Sequence, residues 1–313
     1  MKNIKNKIII SIFLLIGLAL ISSCGEEHDF TPYESFDFEN TANVKFIHTA
    51  IGQVGNNFQV NYFLSNDNTK ELDKITSVLV TAGLPLGFGF GSGYPASINY
   101  ATVKSGTQKL EVISPKIAAT STTPEVPEIS RFKGDLITEK GKYYSNFLIG
   151  SNPTISPVVY ETYQINDELE IPNFDKTKAY IRFINVINNT PLAGYDLGII
   201  KTRSLNGITP VVTEEIYTYK NVTFKGGNEK FIAIEAQDVS DNRGYEIQLR
   251  IAGAPTNNPA ITAPSLVAKQ ANTGGGIFVP RAGRIYTIYC RGFAGGVPSD
   301  KLNVPVISSY VNK

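Results

Sequence analysis

The chain has 313 residues, 42% of them hydrophobic and 18% charged, with 29 Lys and Arg against 28 Asp and Glu. That length suggests about two domains. The apolar content excludes wholesale disorder, and the charge balance excludes a nucleic-acid binder that works through a basic surplus. Two Cys, two His, one Met and no Trp exclude a disulfide framework and nearly exclude a His/Cys metal site.

Residues 1–24 read as an export signal. Lys2, Lys5 and Lys7 precede an apolar run at 8–21 that is broken only by Ser11 and Gly17. As a helix the run would span about 21 Å, short of the roughly 30 Å hydrocarbon core, so it fits a cleavable signal better than a permanent span. Ile21-Ser22-Ser23-Cys24 resembles a bacterial lipobox, in which the signal (1–23) is removed and Cys24 becomes the lipidated N-terminus. Several acyl chains on one residue anchor far more firmly than one. The plainer alternative is an ordinary signal with an incidental cysteine. Gly25-Glu26-Glu27-His28-Asp29 resembles the acidic signal that sends Bacteroidota lipoproteins to the outer face of the outer membrane; a periplasm-facing position is the alternative. Without the three signal lysines the balance becomes 26 basic to 28 acidic residues, a net charge of about −2.

Residues 24–42 are polar and acidic without period and read as a tether. Beyond them the chain reads as strands. Runs at 44–48, 58–63, 76–81, 179–187, 231–236, 245–251 and 285–290 are β-branched or aromatic, with Gly, Asn and Pro between them. Outside the signal no window carries a sustained helical period, and 27 Gly and 17 Pro work against long helices. Many short strands separated by turns indicate a sandwich or barrel.

Three blocks recur in order. Val44-Lys45-Phe46-Ile47-His48 matches Ile181-Arg182-Phe183-Ile184-Asn185. Val103-Lys104-Ser105-Gly106 through Leu110 matches Phe224-Lys225-Gly226-Gly227 through Phe231. Gly141-Lys142-Tyr143-Tyr144-Ser145 matches Gly283-Arg284-Ile285-Tyr286-Thr287. The offsets are 137, 121 and 142. In the first block the Val/Ile and Phe positions share one strand face and the basic residue lies on the other. In the third a glycine turn enters a late strand. These blocks resemble domain of unknown function 4397, a family found in tandem in exported Bacteroidota lipoproteins, over about 43–150 and 179–293. The Ala-Ser-Pro-Asp-type stretch after the family's first strand is absent here. The resemblance implies tandem β-modules and no functional residues. The expected fold is therefore all-β: two tandem immunoglobulin-like β-sandwiches at 43–160 and 179–313 behind the lipoprotein signal and tether, with the join near 160–178.

Residues that carry chemistry are sparse. His28 and His48 have no metal-ligand spacing, and His48, matched by Asn185, reads as a polar strand end. Asp238-Val239-Ser240-Asp241-Asn242 lacks the glycine and terminal glutamate of a calcium loop and reads as an Asx-rich turn. Cys290, in a strand-like run, reads as a buried structural thiol. Gly91-Ser92-Gly93 has no following helix and no nucleophile elbow. The surrounding Gly-rich run 83–95 is not a phosphate cradle. It reads either as an inserted flexible hairpin or as a candidate contact loop that presents Phe88, Phe90 and Tyr94 to a protein or glycan. The loop 253–276 is the matching insertion in the second copy. No catalytic residue, metal site or cofactor is expected. The partners expected are the membrane, through a lipid anchor at Cys24, and an unidentified protein or glycan, with no nucleic acid. The leading reading is a non-enzymatic, cell-surface outer-membrane lipoprotein for adhesion, ligand binding or envelope assembly. A polysaccharide-binding accessory lipoprotein and a fimbrial-type subunit are the alternatives.

Overall fold

The computed structural model describes residues 40–52, 58–65, 73–74, 79–81, 84–96, 98–119, 124–203, 211–227, 230–237, 243–254, 266–269, 278–295 and 304–313. The signal, Cys24, the tether to residue 39, the turn 238–242 and most of the loop 253–276 lie outside these residues. In the first half the strands are β1 (Thr41–His48), β2 (Asn61–Ser65), β3 (Asp73–Lys74), β4 (Leu79–Thr81), β5 (Leu84–Leu86), β6 (Gly93–Tyr94), β7 (Ala101–Lys104), β8 (Gly106–Ser114), β9 (Ile129–Thr138), β10 (Tyr143–Gly150) and β11 (Tyr160–Asn166). The second half carries β12 (Lys178–Asn188), β13 (Tyr195–Arg203), β14 (Val211–Val222), β15 (Gly226–Gly227), β16 (Ile232–Glu235), β17 (Arg243–Ile251), β18 (Leu266–Lys269), β19 (Ile285–Phe293) and β20 (Val306–Val311). The chain is all-β, as the strand pattern predicts, and it forms two sandwiches in tandem.

Each sandwich pairs an outer and an inner sheet. The first stacks β3-β2-β8-β9 on β11-β10-β1-β6, with β7 also on β1. The second stacks β14-β13-β17-β18 on β15-β12-β19-β20, with β16 also on β12. Alternate residues fill each core. Val44 and Phe46 of β1 meet Tyr62, Leu110, Val112 and Leu136 in the first core. Ile181 and Phe183 of β12 meet Leu197, Ile199, Ile247 and Leu249 in the second. Cys290 is fully buried there, and burial pushes its thiol pKa well up.

The other faces of the two inner sheets are also covered, by each other. Ile47, Phe147, Ile149 and Ile165 of the first sandwich form one buried cluster with Ile184, Val186 and Tyr289 of the second. The rings of Phe147 and Tyr289 lie 5.6 Å apart. The result is four sheet layers with the seam between the two inner sheets in the middle, and Glu39–Lys313 forms one compact unit. With both faces covered, β10, β12 and β19 are buried at nearly every position rather than at alternate ones.

Two of the three repeated blocks are structurally equivalent. β1 runs parallel to β10 with Val44 opposite Tyr144, and β12 runs parallel to β19 with Ile181 opposite Tyr286. In both copies the glycine of the third block has a positive φ, 73° at Gly141 and 71° at Gly283. Its amide donates to the carbonyl at the start of the opening strand, Thr41 in one copy and Lys178 in the other. The tyrosine of the block also has one role in both copies. Tyr144 Oη accepts the Glu139 amide at 3.0 Å and Tyr286 Oη accepts the Arg281 amide at 2.9 Å, each closing the turn before its strand. This is the logic of a tyrosine corner.

The middle block differs. Ala101–Lys104 lies on β1 where Ile232–Glu235 lies on β12, and Gly93 faces Ile47 where Gly227 faces Ile184. The matched Lys-x-Gly stretches therefore stand at different places, after β7 in one copy and before β16 in the other.

Candidate functional site

The seam is where polar chemistry concentrates. The basic residue of each opening strand points into it. Arg182 is fully buried: its Nε donates to Thr287 Oγ1 at 2.9 Å, and its Nη2 pairs with Asp167 Oδ1. Asp167, just beyond β11, also accepts Tyr100 Oη at 2.8 Å and Ser145 Oγ at 2.7 Å. Ser145 and Thr287 are equivalent positions of the third block, and both join this network. Ser145 Oγ lies 2.6 Å from Tyr310 Oη, and Thr287 Oγ1 donates to Asn312 Oδ1 at 2.8 Å. Burial opposes the charge on Arg182, but Asp167 together with Tyr310 and Tyr100 outweighs it and holds the guanidinium pKa up.

Lys45, the counterpart of Arg182, donates from Nζ to the carbonyls of Asn99 at 2.6 Å and Pro95 at 3.1 Å. It lies 5.0 Å from the Tyr100 ring centre and 5.6 Å from that of Tyr310. Carbonyl oxygens and ring faces compensate a buried ammonium only in part. Burial accordingly pulls its pKa down to about 8, with Asp167 opposing.

At the other end of β1, His48 and its counterpart Asn185 serve the backbone, as the strand-end pattern predicts. His48 Nε2 is 3.0 Å from the Phe58 carbonyl. Asn185 Nδ2 donates to the Val222 and Thr223 carbonyls at 3.1 and 3.2 Å. Burial lowers the His48 pKa to about 4; the Phe58 contact opposes and the nearby Arg291 and Arg131 add to the fall.

The candidate contact loop is pinned to the body. Phe88 exchanges backbone hydrogen bonds with Val60, and its ring lies 5.3 Å from that of Tyr94. Tyr94 sits in β6, opposite Phe46. Phe90 lies between the His48 ring, at 6.3 Å, and the Arg291 guanidinium of the second sandwich, at 4.3 Å. Gly91, at φ 84°, approaches Arg291 so closely that a Cβ would collide with the guanidinium, and its carbonyl accepts Tyr289 Oη at 3.1 Å. All three aromatic residues are half-buried, and the loop spans the seam.

A cleft of about 790 Å³ opens at the end of the seam where β1, β10, β12 and β19 begin. Asn43, Asn99, Tyr100 and the turn Lys140-Gly141-Lys142-Tyr143 come from the first sandwich, Asn166 to Glu170 from the join, and Arg284, Asn312 and Lys313 from the second. Tyr100 and Tyr143 meet edge to face at 5.2 Å, with Tyr143 exposed. Leu169 of the lining belongs to a buried apolar cluster with Tyr180 and Ile285, and Tyr100 packs against it. The third block of each copy thus supplies one wall: Lys142 and Tyr143 on one side, Arg284 on the other. Its glycine turn and strand entry read as purely structural in the sequence, and the repeat itself was the signal that its two copies belong together. Among the described residues no three His, Cys, Asp or Glu side chains converge as metal ligands. Among them no helix is long and apolar enough to cross a membrane.

No family model matches the chain, and no curated protein matches it. Among solved structures, the fimbrial anchor protein Mfa2 from Porphyromonas gingivalis aligns at 8% identity and a TM-score of 0.23, over 87% of this chain and 97% of that one. A candidate cell adhesion protein from Parabacteroides distasonis aligns at 10% identity and a TM-score of 0.19, over 87% and 96%. Another from Bacteroides fragilis aligns at 12% identity and a TM-score of 0.15, over 87% and 98%.

Proposed function

We propose that the chain is a non-enzymatic cell-envelope lipoprotein, anchored through Cys24 and displayed on the cell surface. It presents two β-sandwiches joined as one body for adhesion, ligand binding or envelope assembly, each module resembling domain of unknown function 4397. The observation that carries the reading is the seam. Lys45, Arg182, Asp167 and His48, buried groups of the kind an active site would employ, are engaged in holding strands and sheets together. A doubly covered inner pair of sheets resists shear between the modules, which suits a load-bearing or presenting role. Metabolic labelling with a clickable palmitate analogue tests the anchor. The wild-type chain is expected to carry label and to fractionate with membranes, and Cys24→Ala to lose both. A Cys24→Ala chain that stays labelled and membrane-bound overturns the anchor.

A further inference from the structure

We infer that the cleft at the end of the seam binds an acidic oligosaccharide, a sugar chain that bears carboxylate or phosphate groups. Its volume, about 790 Å³, lies within the range of ligand sites. Its lining is unlike that of an apolar-ligand pocket. Four asparagines line it. Asn312 is buried and already engaged with Thr287, Tyr100 and Asp167, whereas the amides of Asn43, Asn99 and Asn166 offer donors and an acceptor together, the complement of vicinal hydroxyls that also do both. Tyr143, exposed and braced edge-on by Tyr100, supplies a ring for the apolar face of a pyranose. The charge selects an anion. Lys140, Lys142 and Arg284 outnumber Glu168 and Glu170 in the lining, while Asp167 beneath is neutralised by Arg182. The excess of cations lies on exposed side chains on both walls, so a chain laid across the seam meets positive charge from each sandwich, and Arg284 can take a carboxylate or phosphate bidentately.

This inference goes beyond the proposed function and does not depend on the anchor, since a Cys24→Ala chain is expected to bind equally. The anionic sugar has two sources: the phosphorylated saccharide headgroup of a membrane glycolipid, or a free acidic polysaccharide. Calorimetric titration of the full chain in detergent separates them. One arm uses tetragalacturonate and the other purified lipooligosaccharide; maltotetraose and a tetraglutamate peptide serve as controls. Saturable binding to either acidic saccharide, at least tenfold tighter than to both controls, is expected. Tyr143→Ala and Arg284→Gln, with unfolding midpoints close to wild type, are each expected to weaken it at least fivefold, and Leu192→Ser, on an exposed turn elsewhere, to leave it unchanged. No binding of either acidic saccharide at millimolar concentration overturns the inference. So does equal binding of maltotetraose or of the peptide, or unchanged affinity in both cleft variants.

Discussion

Asp167→Ala is the most informative single change. It removes the carboxylate that accepts Tyr100, Ser145 and Arg182 and leaves a fully buried guanidinium whose described polar contacts are Thr287 Oγ1 and a long one of 3.4 Å to the Asn166 carbonyl. Breaking a buried pair from one side costs about 3–5 kcal/mol because the remaining charge is uncompensated. For a body of this size, at about 2–4 °C per kcal/mol, the unfolding midpoint falls by roughly 10 °C. Removing both charges, in Asp167→Ala with Arg182→Met, is expected to restore at least half of the loss, since a methionine fills the stem's space without a charge to bury. Urea denaturation of wild type, single and double variants gives the coupling energy directly. A single variant within about 1 kcal/mol of wild type, or a double variant no more stable than the single, would refute the view that the seam is held by this pair.

Two further outcomes follow from buried titratable groups. His48 has a folded pKa of about 4 against its ordinary 6.5, so the fold favours its neutral form. Its contribution to stability is full above pH 6.5 and is lost as pH falls to about 4, by roughly 3 kcal/mol at 1.36 kcal/mol per pKa unit. His48→Asn, which copies the residue at 185, is expected to lose less stability than wild type between pH 7 and pH 4.5 in thermal melts; parallel losses would show that His48 is not buried neutral. Cys290 is expected to resist a thiol-specific reagent in the folded chain and to react fully in denaturant, because burial keeps the thiolate unpopulated. Rapid labelling of the native chain would contradict its place in the second core.

Much of the fold was legible because its signals are local. Alternation placed Val44 and Phe46 on one face of β1, and the glycine before Tyr144 and Tyr286 marked a turn whose tyrosine closes it. The seam was not legible. The pattern puts Lys45 and Arg182 on the opposite face of their strands, but nothing in a strand's own sequence says that a second sandwich covers that face. The partners of Arg182 and Lys45, Asp167 and the carbonyls of residues 95 and 99, lie in the join and in a loop, where no periodicity operates. The Gly/Phe loop was legible as an insertion but not as a bridge, because its anchor, Arg291, belongs to the last strands of the second sandwich. The cleft shares this character: its two walls are the same motif, brought face to face only by the pairing of the inner sheets.

Surface display of a lipid-anchored tandem sandwich is the centre of the account, and protease accessibility on intact cells tests it most directly. Cells that express the full chain are treated with proteinase K and the full-length band is followed by immunoblot, with a periplasmic protein as the integrity control. The account predicts that the band is lost while the periplasmic control survives. A chain that stays intact until the outer membrane is permeabilised would contradict it.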